Sequence, residues 1–456
     1  MGHIVFAAPT IGRFHLHDVL ARQLMRRGHR VTVLAADPVT ECFYRAQGMR
    51  THLLPLRRAT AELRGMPLGS NALRDCRLAG SPRPSSAQLG RARARLGRFV
   101  PELLRFFGIE TPEIVLFHQE RTGLHGLIDF VAQEFGCEVL HTGAGLLPGT
   151  MQWDARGIDG DSSICDREPD DYRHAPRDQS FVMAALAAVL GGVNADPIGR
   201  SGIRRPGLFA RTRSFVRALK RRQTGPARGA FSAWRLARPT RTTRPKHTSD
   251  LPEGPFVTVL LQDLESAALR LDADDPPSHA QLILAAHAAT WAFDSTLPLV
   301  VIPPAGGLSR RVRRTLSGRV GRIVIGRPED AMNAVTTGLA VATVNHPHGL
   351  AAMLAGTPLL HTGRALYTHA GIAHATTLDR MRDDLPKALE QSSAPYRESY
   401  LTRTLVYDHI WCDADQPDEN GLHGLVQNVE RSADRARPTT ERISYRAGPA
   451  WLATEE

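Results

Sequence analysis

The chain has 456 residues, 42% hydrophobic and 23% charged, with a formal net charge of +11. This composition excludes a disordered chain, and the length predicts two or three domains. Five scattered cysteines without a CxxC pair exclude a disulfide scaffold and a zinc ribbon, and favour a reducing cytoplasm. The longest nearly apolar run, Val182 to Val193, is too short to span a bilayer. We therefore expect neither a signal peptide nor a membrane anchor.

The first half of the chain alternates strand and helix patterns. The apolar run His3–Ala8 predicts a buried parallel strand, and apolar residues at helical spacing from Leu16 to Leu24 predict a helix. A strand over Arg30–Ala35 completes a βαβ unit. Further elements are predicted as a strand over 114–117, a helix over 122–135, a strand over 137–140, a glycine-rich exit over 143–149 and a helix over 176–193. The last helix is expected to close the first domain.

A basic segment follows, in which residues 200–249 contain 13 Arg, 2 Lys and no acidic residue. The rest of the chain is therefore mildly acidic, which argues against nucleic-acid binding by the protein as a whole. The segment is interpreted as a solvated linker or insertion. Attachment to anionic lipid is the functional alternative, with Phe231 and Trp234 at the interface. A nucleic-acid partner is not expected, since the segment lacks a recognisable fold for one.

A second alternating array begins near residue 256. Strands are predicted over 256–261, 299–302, 322–325, 341–344 and 358–360, and helices over 279–293, 308–317, 328–337, 348–355, 380–390, 396–410 and 419–432. We therefore predict an α/β protein in which two Rossmann-like parallel-sheet domains face a cleft. The expected divisions are an N-terminal domain over 1–198, a basic linker over 199–252, a C-terminal domain over 253–395 and a helical tail over 396–456.

Several polar side chains follow predicted strands, where site residues of such sheets collect. His15 and His17 lie at the first strand-to-helix turn, and either is a candidate base. Asp263 and Glu265 come just past the strand that ends near residue 261. They are candidates for catalysis, or alternatively caps of the helix that follows.

The loop from Asn345 to Gly349 carries two histidines, His346 and His348, between a predicted strand and a small-residue helix. Backbone N–H groups at a helix start bind anions, so this loop is a candidate phosphate site. An ordinary strand-to-helix connection is the alternative. No third or fourth ligand accompanies the histidines at zinc-like spacing, so no metal site is expected.

The stretch TVNHPHGLAAMLAGTPLLHTGRALYTHAGI, from Thr343 to Ile372, resembles the signature of the capsular polysaccharide biosynthesis family, which includes bacterial β-Kdo transferases. The residues in register are Asn345, Gly349, Leu350, Ala352, Gly356, Pro358, Gly363, Arg364, Ala365, Tyr367 and Gly371. Three further stretches resemble the family: Val5 to Gly12 with the later RGH at 27–29, LLPGTMQWD at 146–154 with GID at 157–159, and LQDLES at 261–266.

The resemblance implies a GT-B glycosyltransferase of capsule or surface-polysaccharide synthesis. Such an enzyme transfers a Kdo-like sugar from a CMP-linked donor to a lipid or lipid-linked glycan at the inner face of the cytoplasmic membrane, with no cofactor besides the nucleotide sugar. By this resemblance and the positions above, the expected donor-binding residues are Asn345, His346, His348, Gly349, Arg364 and Tyr367. The expected cleft residues are Gly12, Arg121, His125 and Gly143, and the expected catalytic residues are Asp263, Glu265, His15 and Asp159.

The sequence departs from the family at positions expected to carry chemistry. A family glutamate near Gly143 is missing, and Ala351 replaces a glutamate expected near the nucleotide. The family's KPHP appears as Val301-Ile302-Pro303-Pro304. Two alternatives therefore stay open beside the Kdo transferase: a non-catalytic relative that binds or scaffolds capsule glycan together with assembly proteins, and a GT-B enzyme that uses a UDP-sugar. Asp159, His346 and His348 are candidates to replace the missing groups.

Overall fold

The computed structural model describes residues 2–9, 14–54, 66–119, 121–147, 149–177, 179–192, 250–264, 266–273, 276–317, 322–391, 394–412, 417 and 419–436. Two β-sheets form the centres of two α/β domains, as expected from the sequence; the C-terminal sheet is parallel, and the N-terminal sheet is parallel except at one edge. The basic segment 200–249 lies outside the described residues, so its predicted attachment to lipid stays a prediction. No described helix is both long and apolar enough to cross a membrane.

The N-terminal sheet has seven strands in the order β13-β6-β5-β4-β1-β2-β3. Their bounds are β1 His3–Ala7, β2 Arg30–Ala35, β3 Arg50–Leu53, β4 Ile114–His118, β5 Glu138–Ala144, β6 Thr150–Asp154 and β13 His409–Trp411. The first five run parallel, whereas β6 and β13 are antiparallel to their neighbours. β1 and β4 are wholly buried, because helices cover both faces of the sheet.

The C-terminal sheet has six parallel strands in the order β12-β11-β10-β7-β8-β9. Their bounds are β7 Val257–Leu260, β8 Leu299–Ile302, β9 Ile323–Ile325, β10 Ala340–Thr343, β11 Leu359–His361 and β12 His374–Ala375. Their short apolar sequences are nearly continuous, as in strands covered on both faces.

The described helices lie between these strands. In the first half they are α1 Phe14–Arg26, α2 Pro38–Ala46, α3 Leu68–Leu78, α4 Ser86–Gly97, α5 Val100–Glu110, α6 Gly123–Glu134, α7 Pro169–Tyr172 and α8 Gln179–Gly192. In the second half they are α9 Ala267–Leu271, α10 His279–Phe293, α11 Arg310–Ser317, α12 Ala331–Thr337, α13 Gly349–Ala355, α14 Met381–Glu390, α15 Ala394–Arg403 and α16 Glu419–Ala436.

The chain returns to the N-terminal domain after α15. β13 pairs with β6, and α16 packs against α1, where Arg27 donates to Glu430 at 2.7 Å. His409 secures this return, because its Nε2 accepts the backbone N–H of Leu146 at 2.9 Å. The helical tail expected over 396–456 thus includes a strand that its sequence pattern does not predict.

Helix α8 packs differently from the sequence expectation. Rather than closing the first domain, it lies against α13 and α15, and its side chains Val182, Ala185 and Val189 belong to the core around β7 and β10. Its apolar residues are spread around the helix instead of along one stripe, so periodicity alone did not indicate which sheet it covers.

Candidate functional site

An ionic cluster joins the two domains at the carboxyl ends of their strands. Arg121 follows β4, and its guanidinium makes a bidentate pair with Asp272, which follows α9 in the other domain, with one contact at 2.7 Å. Arg121 also lies 2.9 Å from Asp161 and 3.6 Å from Asp159. Burial and the two neighbouring carboxylates raise the pKa of Asp272 to about 6, against the opposing effect of Arg121. Near neutral pH the cluster therefore holds the domains together as ion pairs.

Glycines let these groups approach one another. A Cβ on Gly160 would lie 2.5 Å from the carboxylate of Asp272, so only glycine leaves room for it there. A Cβ on Gly363 would lie 3.2 Å from the carbonyl of Asp272, whose backbone also accepts the N–H of Arg364 at 2.8 Å. The backbone around Asp272 is thus fitted closely to both neighbouring loops.

A cavity of about 330 Å³ opens beside this cluster. Four arginines line it: Arg74 from α3, Arg121, Arg156 after β6, and Arg364 after β11. Asp129, Asp161, His125 and His141 are its other titratable lining residues. Each of these arginines also contacts a carboxylate: Arg74 and Arg121 pair with Asp161, and Arg156 and Arg364 pair with Asp166. A planar guanidinium suits bidentate binding of phosphate or carboxylate, so an anionic ligand in the cavity competes with these aspartates for the arginines.

Asp159 stands next to the cluster in an unusual backbone conformation, with φ of 52°. Its N–H donates to Gln152 Oε1 at 3.2 Å, and its carboxylate accepts from Gln152 Nε2 at 3.3 Å. The side chain is 46% exposed, whereas that of Asp272 is 2% exposed. Burial raises the pKa of Asp159, with a smaller contribution from Asp161, despite the opposing effects of Arg121 and of the Gln152 hydrogen bond. Asp159 is thus a carboxylate that Gln152 holds next to the ionic cluster.

The same glutamine explains the space at Gly143. β5 and β6 form a hairpin where the sequence predicted a glycine-rich exit, and Gly143 lies opposite Gln152 in it. A Cβ on Gly143 would meet Gln152 Nε2 at 3.0 Å and Ile158 at 3.2 Å. The side-chain amide of Gln152, which is hydrogen-bonded to Asp159, therefore occupies the space that a Cβ at position 143 would need.

The predicted phosphate loop has few free amide groups. The N–H groups of Gly349, Leu350 and Ala351 donate to carbonyls within the same loop, at 2.8 to 3.1 Å. The N–H of His346 donates to Thr343 Oγ1 at 3.2 Å, and that of His348 to His346 Nδ1 at 3.1 Å. These amides are therefore already bonded, which differs from the open anion site that the sequence predicted.

The two imidazoles of this loop are uncharged near neutral pH. Burial lowers the pKa of His346 to about 3 and also lowers that of His348. Both rings are neutral near pH 7 and lie 4.9 Å apart. They can offer hydrogen bonds to a ligand, but not charge.

Three more of the predicted donor-binding residues are held by contacts within the protein. Asn345 is buried and bonds Gln262, the Ala268 carbonyl and the Arg364 carbonyl, at 2.7, 3.0 and 3.3 Å. The hydroxyl of Tyr367 donates to the His346 carbonyl, and its ring occupies the space beside Gly349. Of the six predicted donor-binding residues, Arg364 has the most reachable side chain, 49% exposed, and it lines the cavity and pairs with Asp166.

Ala351 is wholly buried in the core of the C-terminal domain. A glutamate at this position would have to enter that core, where an unpaired charge is costly. The departure from the family at residue 351 therefore matches the packing of this chain.

The N-terminal histidines take structural positions. His125 donates from Nε2 to the Ala8 carbonyl at 3.1 Å, and its Nδ1 lies 2.6 Å from the Thr122 hydroxyl. Burial lowers its pKa to about 4, so it lines the cavity as a neutral ring. His17 is buried against Tyr44, with Nδ1 2.8 Å from the phenol oxygen.

Other predicted residues are only partly covered by the structure. Gly12 and Glu265 lie outside the described residues, and His15 lies in α1 without a described side chain. Asp263 is exposed in the turn before α9, where its carbonyl accepts the N–H of Ser266. Ser266 is the residue that caps α9, so the alternative that Asp263 caps this helix is wrong.

Sequence reasoning missed Asp272, Asp161, Arg74 and Arg156. Asp161 follows Asp159 by two residues in the GIDGD segment, so that spacing was an available signal. Asp272 carries no local signal, because its partner Arg121 is 151 residues away. Among the described residues, no group of three or more His, Cys, Asp or Glu side chains is placed to hold a metal ion.

No protein-family model matches the sequence, and no curated protein matches it. Solved structures that align over the chain include the glycotransferase of kitacinnamycin. The alignment has 16% identity, covers 94% of this chain and 98% of the kitacinnamycin chain, and has a TM-score of 0.32. MurG of Acinetobacter baumannii aligns at 11% identity, 94% and 100% coverage and a TM-score of 0.34. The glycosyltransferase VinC in complex with dTDP aligns at 14% identity, 95% and 99% coverage and a TM-score of 0.31.

The chain's own topology shows two parallel-sheet α/β domains, with the C-terminal strand and helix returning to the N-terminal sheet. The architecture is a pair of Rossmann-like domains. The arginine-lined cavity and the ionic cluster lie where its two domains meet.

Four buried histidines make stability depend on pH. Burial lowers the pKa values of His125, His361, His369 and His409 to about 4. Unfolded histidines bind protons near pH 6.5, so stability is fully present above that pH and falls as the pH drops toward 4, by about 1.4 kcal/mol per pH unit for each ring. We expect urea midpoints to decrease across this window. His369→Gln should flatten the decrease, whereas the exposed control His174→Gln should not; equal slopes for both would contradict the prediction.

Proposed function

We propose that this protein is a glycosyltransferase that moves a sugar from a nucleotide-activated donor to an acceptor hydroxyl in the interdomain cleft. The observation that carries the proposal is the cavity lined by four arginines at the junction of two parallel-sheet domains, with Asp159 beside it. In such a reaction the departing nucleotide phosphate gains negative charge. Preorganised guanidinium groups stabilise that charge, and this stabilisation does not require a metal ion.

Asp159 is proposed as the catalytic carboxylate. The sugar passes through an oxocarbenium-like state, and a carboxylate either removes the proton of the acceptor hydroxyl or attacks the sugar carbon. The Asp159 carboxylate has a raised pKa and a partly exposed side chain. Such a carboxylate removes a proton more readily than one that is strongly ion-paired. Asp161 is the less suitable neighbour, because Arg121 and Arg74 lower its pKa against the effect of burial.

For the donor we propose a CMP-linked, Kdo-like sugar, and for the acceptor a lipid or lipid-linked glycan of capsule synthesis at the inner membrane face. This finer proposal rests on the sequence resemblance, chiefly the stretch from Asn345 to Gly371. A UDP-sugar is the second candidate donor. A third candidate is a non-catalytic relative that binds capsule glycan together with assembly proteins; the missing glutamate at Gly143 and the missing KPHP favour it.

Nucleotide binding separates these candidates. A nucleotide at a hundredfold excess over its dissociation constant stabilises the folded state by about 2.7 kcal/mol, so thermal shifts with CMP and with UDP identify the donor class. We expect Arg364→Ala to weaken the effective nucleotide about 10- to 100-fold, since a charge-assisted hydrogen bond is lost. Arg91→Ala, an exposed arginine on α4, is the matched control and should bind normally.

Turnover completes the test. The protein is incubated with CMP-Kdo generated in place, anionic phospholipid and short Kdo-capped acceptors, while CMP release and product mass are followed. Product that is lost in Arg364→Ala supports the transferase. Binding of CMP without release supports the non-catalytic alternative, and a shift with UDP alone overturns the CMP donor. No shift with either nucleotide overturns the proposed function.

A further inference from the structure

Two aromatic side chains are exposed at the end of helix α10, away from the cleft. Trp291 and Phe293 are 52% and 44% exposed. This end of α10 leads into the start of β8, and so lies at the amino ends of the strands, whereas the cavity lies at their carboxyl ends. Neither residue lines the cavity, so their exposure is not explained by the site described above.

Helix α11 packs beside α10 and adds positive charge to the same flank. Its apolar side chains Val312 and Leu316 are buried in the domain core. Its outward residues are Arg310, Arg311, Arg313 and Arg314, all exposed. Arg322, at the start of β9, places its guanidinium 5.8 Å from the centre of the Trp291 ring. We name the basic-aromatic patch for Trp291, Phe293 and these five arginines, of which those on α11 extend from the carboxyl ends of the strands toward the two rings.

Acidic residues are almost absent from this part of the chain. Between Pro276 and Pro328 the sequence contains seven arginines and a single acid, Asp294. The Asp294 carboxylate accepts from the N–H and the hydroxyl of Thr296, both at 2.7 Å. Within this stretch of the chain, the charged residues beside the two rings are therefore almost all positive.

We propose that the basic-aromatic patch docks the C-terminal domain on an anionic phospholipid surface. Arginines close to such a surface are attracted by its negative potential, and exposed Trp and Phe side chains insert at the headgroup boundary. The patch acts independently of residues 200–249 and of the identity of the sugar donor. Nucleic acid is the alternative ligand for exposed arginines beside aromatic rings, and the experiment below distinguishes it from a lipid surface.

Vesicle co-sedimentation of the full chain tests this proposal. The probes are phosphatidylcholine vesicles with and without phosphatidylglycerol. We expect Arg310→Glu with Arg311→Glu to weaken binding to the anionic vesicles at least about 30-fold, since each arginine near the surface contributes about fivefold. Arg91→Glu with Arg93→Glu, on the exposed face of α4, makes the same change in net charge and should bind within a fewfold of the unaltered protein.

Two further measurements identify the cause of any loss. Trp291→Ala with Phe293→Ala should also weaken vesicle binding, and hydrogen exchange should slow in 287–293 and 310–317 when anionic vesicles are added to the unaltered protein. Equal binding by both charge-reversal variants, or unprotected exchange in these segments, overturns the proposal. So does loss of RNA binding in Arg310→Glu with Arg311→Glu while vesicle binding is unchanged, which would assign the patch to nucleic acid.

Discussion

Replacing Arg121 with alanine is expected to destabilise the protein by about 3–5 kcal/mol. The substitution leaves the carboxylate of Asp272, which is 2% exposed, without its bidentate partner and next to Asp161 and Asp159. Burying an unpaired charge costs far more than losing a surface pair. The expected result is a large decrease in the urea midpoint, measured on the full chain by fluorescence and circular dichroism.

Two comparisons identify the buried charge as the cause. Adding Asp272→Asn to Arg121→Ala removes the uncompensated charge and should recover a substantial part of the lost stability. Arg173→Ala breaks an exposed pair with Asp170 at 3.0 Å and should cost about 0–1 kcal/mol. If Arg121→Ala were no more harmful than Arg173→Ala, the ionic cluster would not hold the domains together.

Elements with continuous apolar runs could be predicted from the sequence. β2 and β8 have the predicted bounds, and α10 begins and ends at the predicted residues, because a Ser278 capping box begins the helix and Asp294 ends it in extended backbone. The strand β13 could not be predicted, since its three residues, His409–Trp411, become a strand only by pairing with β6. Its place depends on contacts more than 250 residues away along the chain.

The candidate site shows the same division. Arg121 was expected in the cleft, but its role as an ion-pair partner of Asp272 depends on how the two domains meet. The stretch from Asn345 to Tyr367 resembles a family pattern, yet a resemblance does not show that its amide groups donate within the loop. Local spacing therefore identified the segments around the cleft, whereas the burial and pairing of their side chains required the fold.

Asp159→Asn is expected to lower kcat of the proposed transferase by about 10²- to 10⁴-fold, because the carboxylate that removes the proton or attacks the sugar is lost. Folding should change little, since the amide keeps an oxygen that can accept from Gln152 Nε2. Asp161→Asn, two residues away, is the matched control. Asp161 bonds Arg121 at 2.9 Å and Arg74 at 3.1 Å, so its loss should alter KM more than kcat.

The pH profile distinguishes a catalytic carboxylate from a structural one. The reactive form of Asp159 is the ionised carboxylate, whose fraction increases with pH. Activity of the unaltered protein should therefore increase with pH as Asp159 loses its proton, and the raised pKa moves this increase to higher pH. Asp159→Asn should remove that limb, whereas Asp161→Asn should retain it. An acid limb that persists in Asp159→Asn, with kcat lowered only a fewfold, would assign the proton transfer to another group in the cleft and leave Asp159 a residue that positions Gln152.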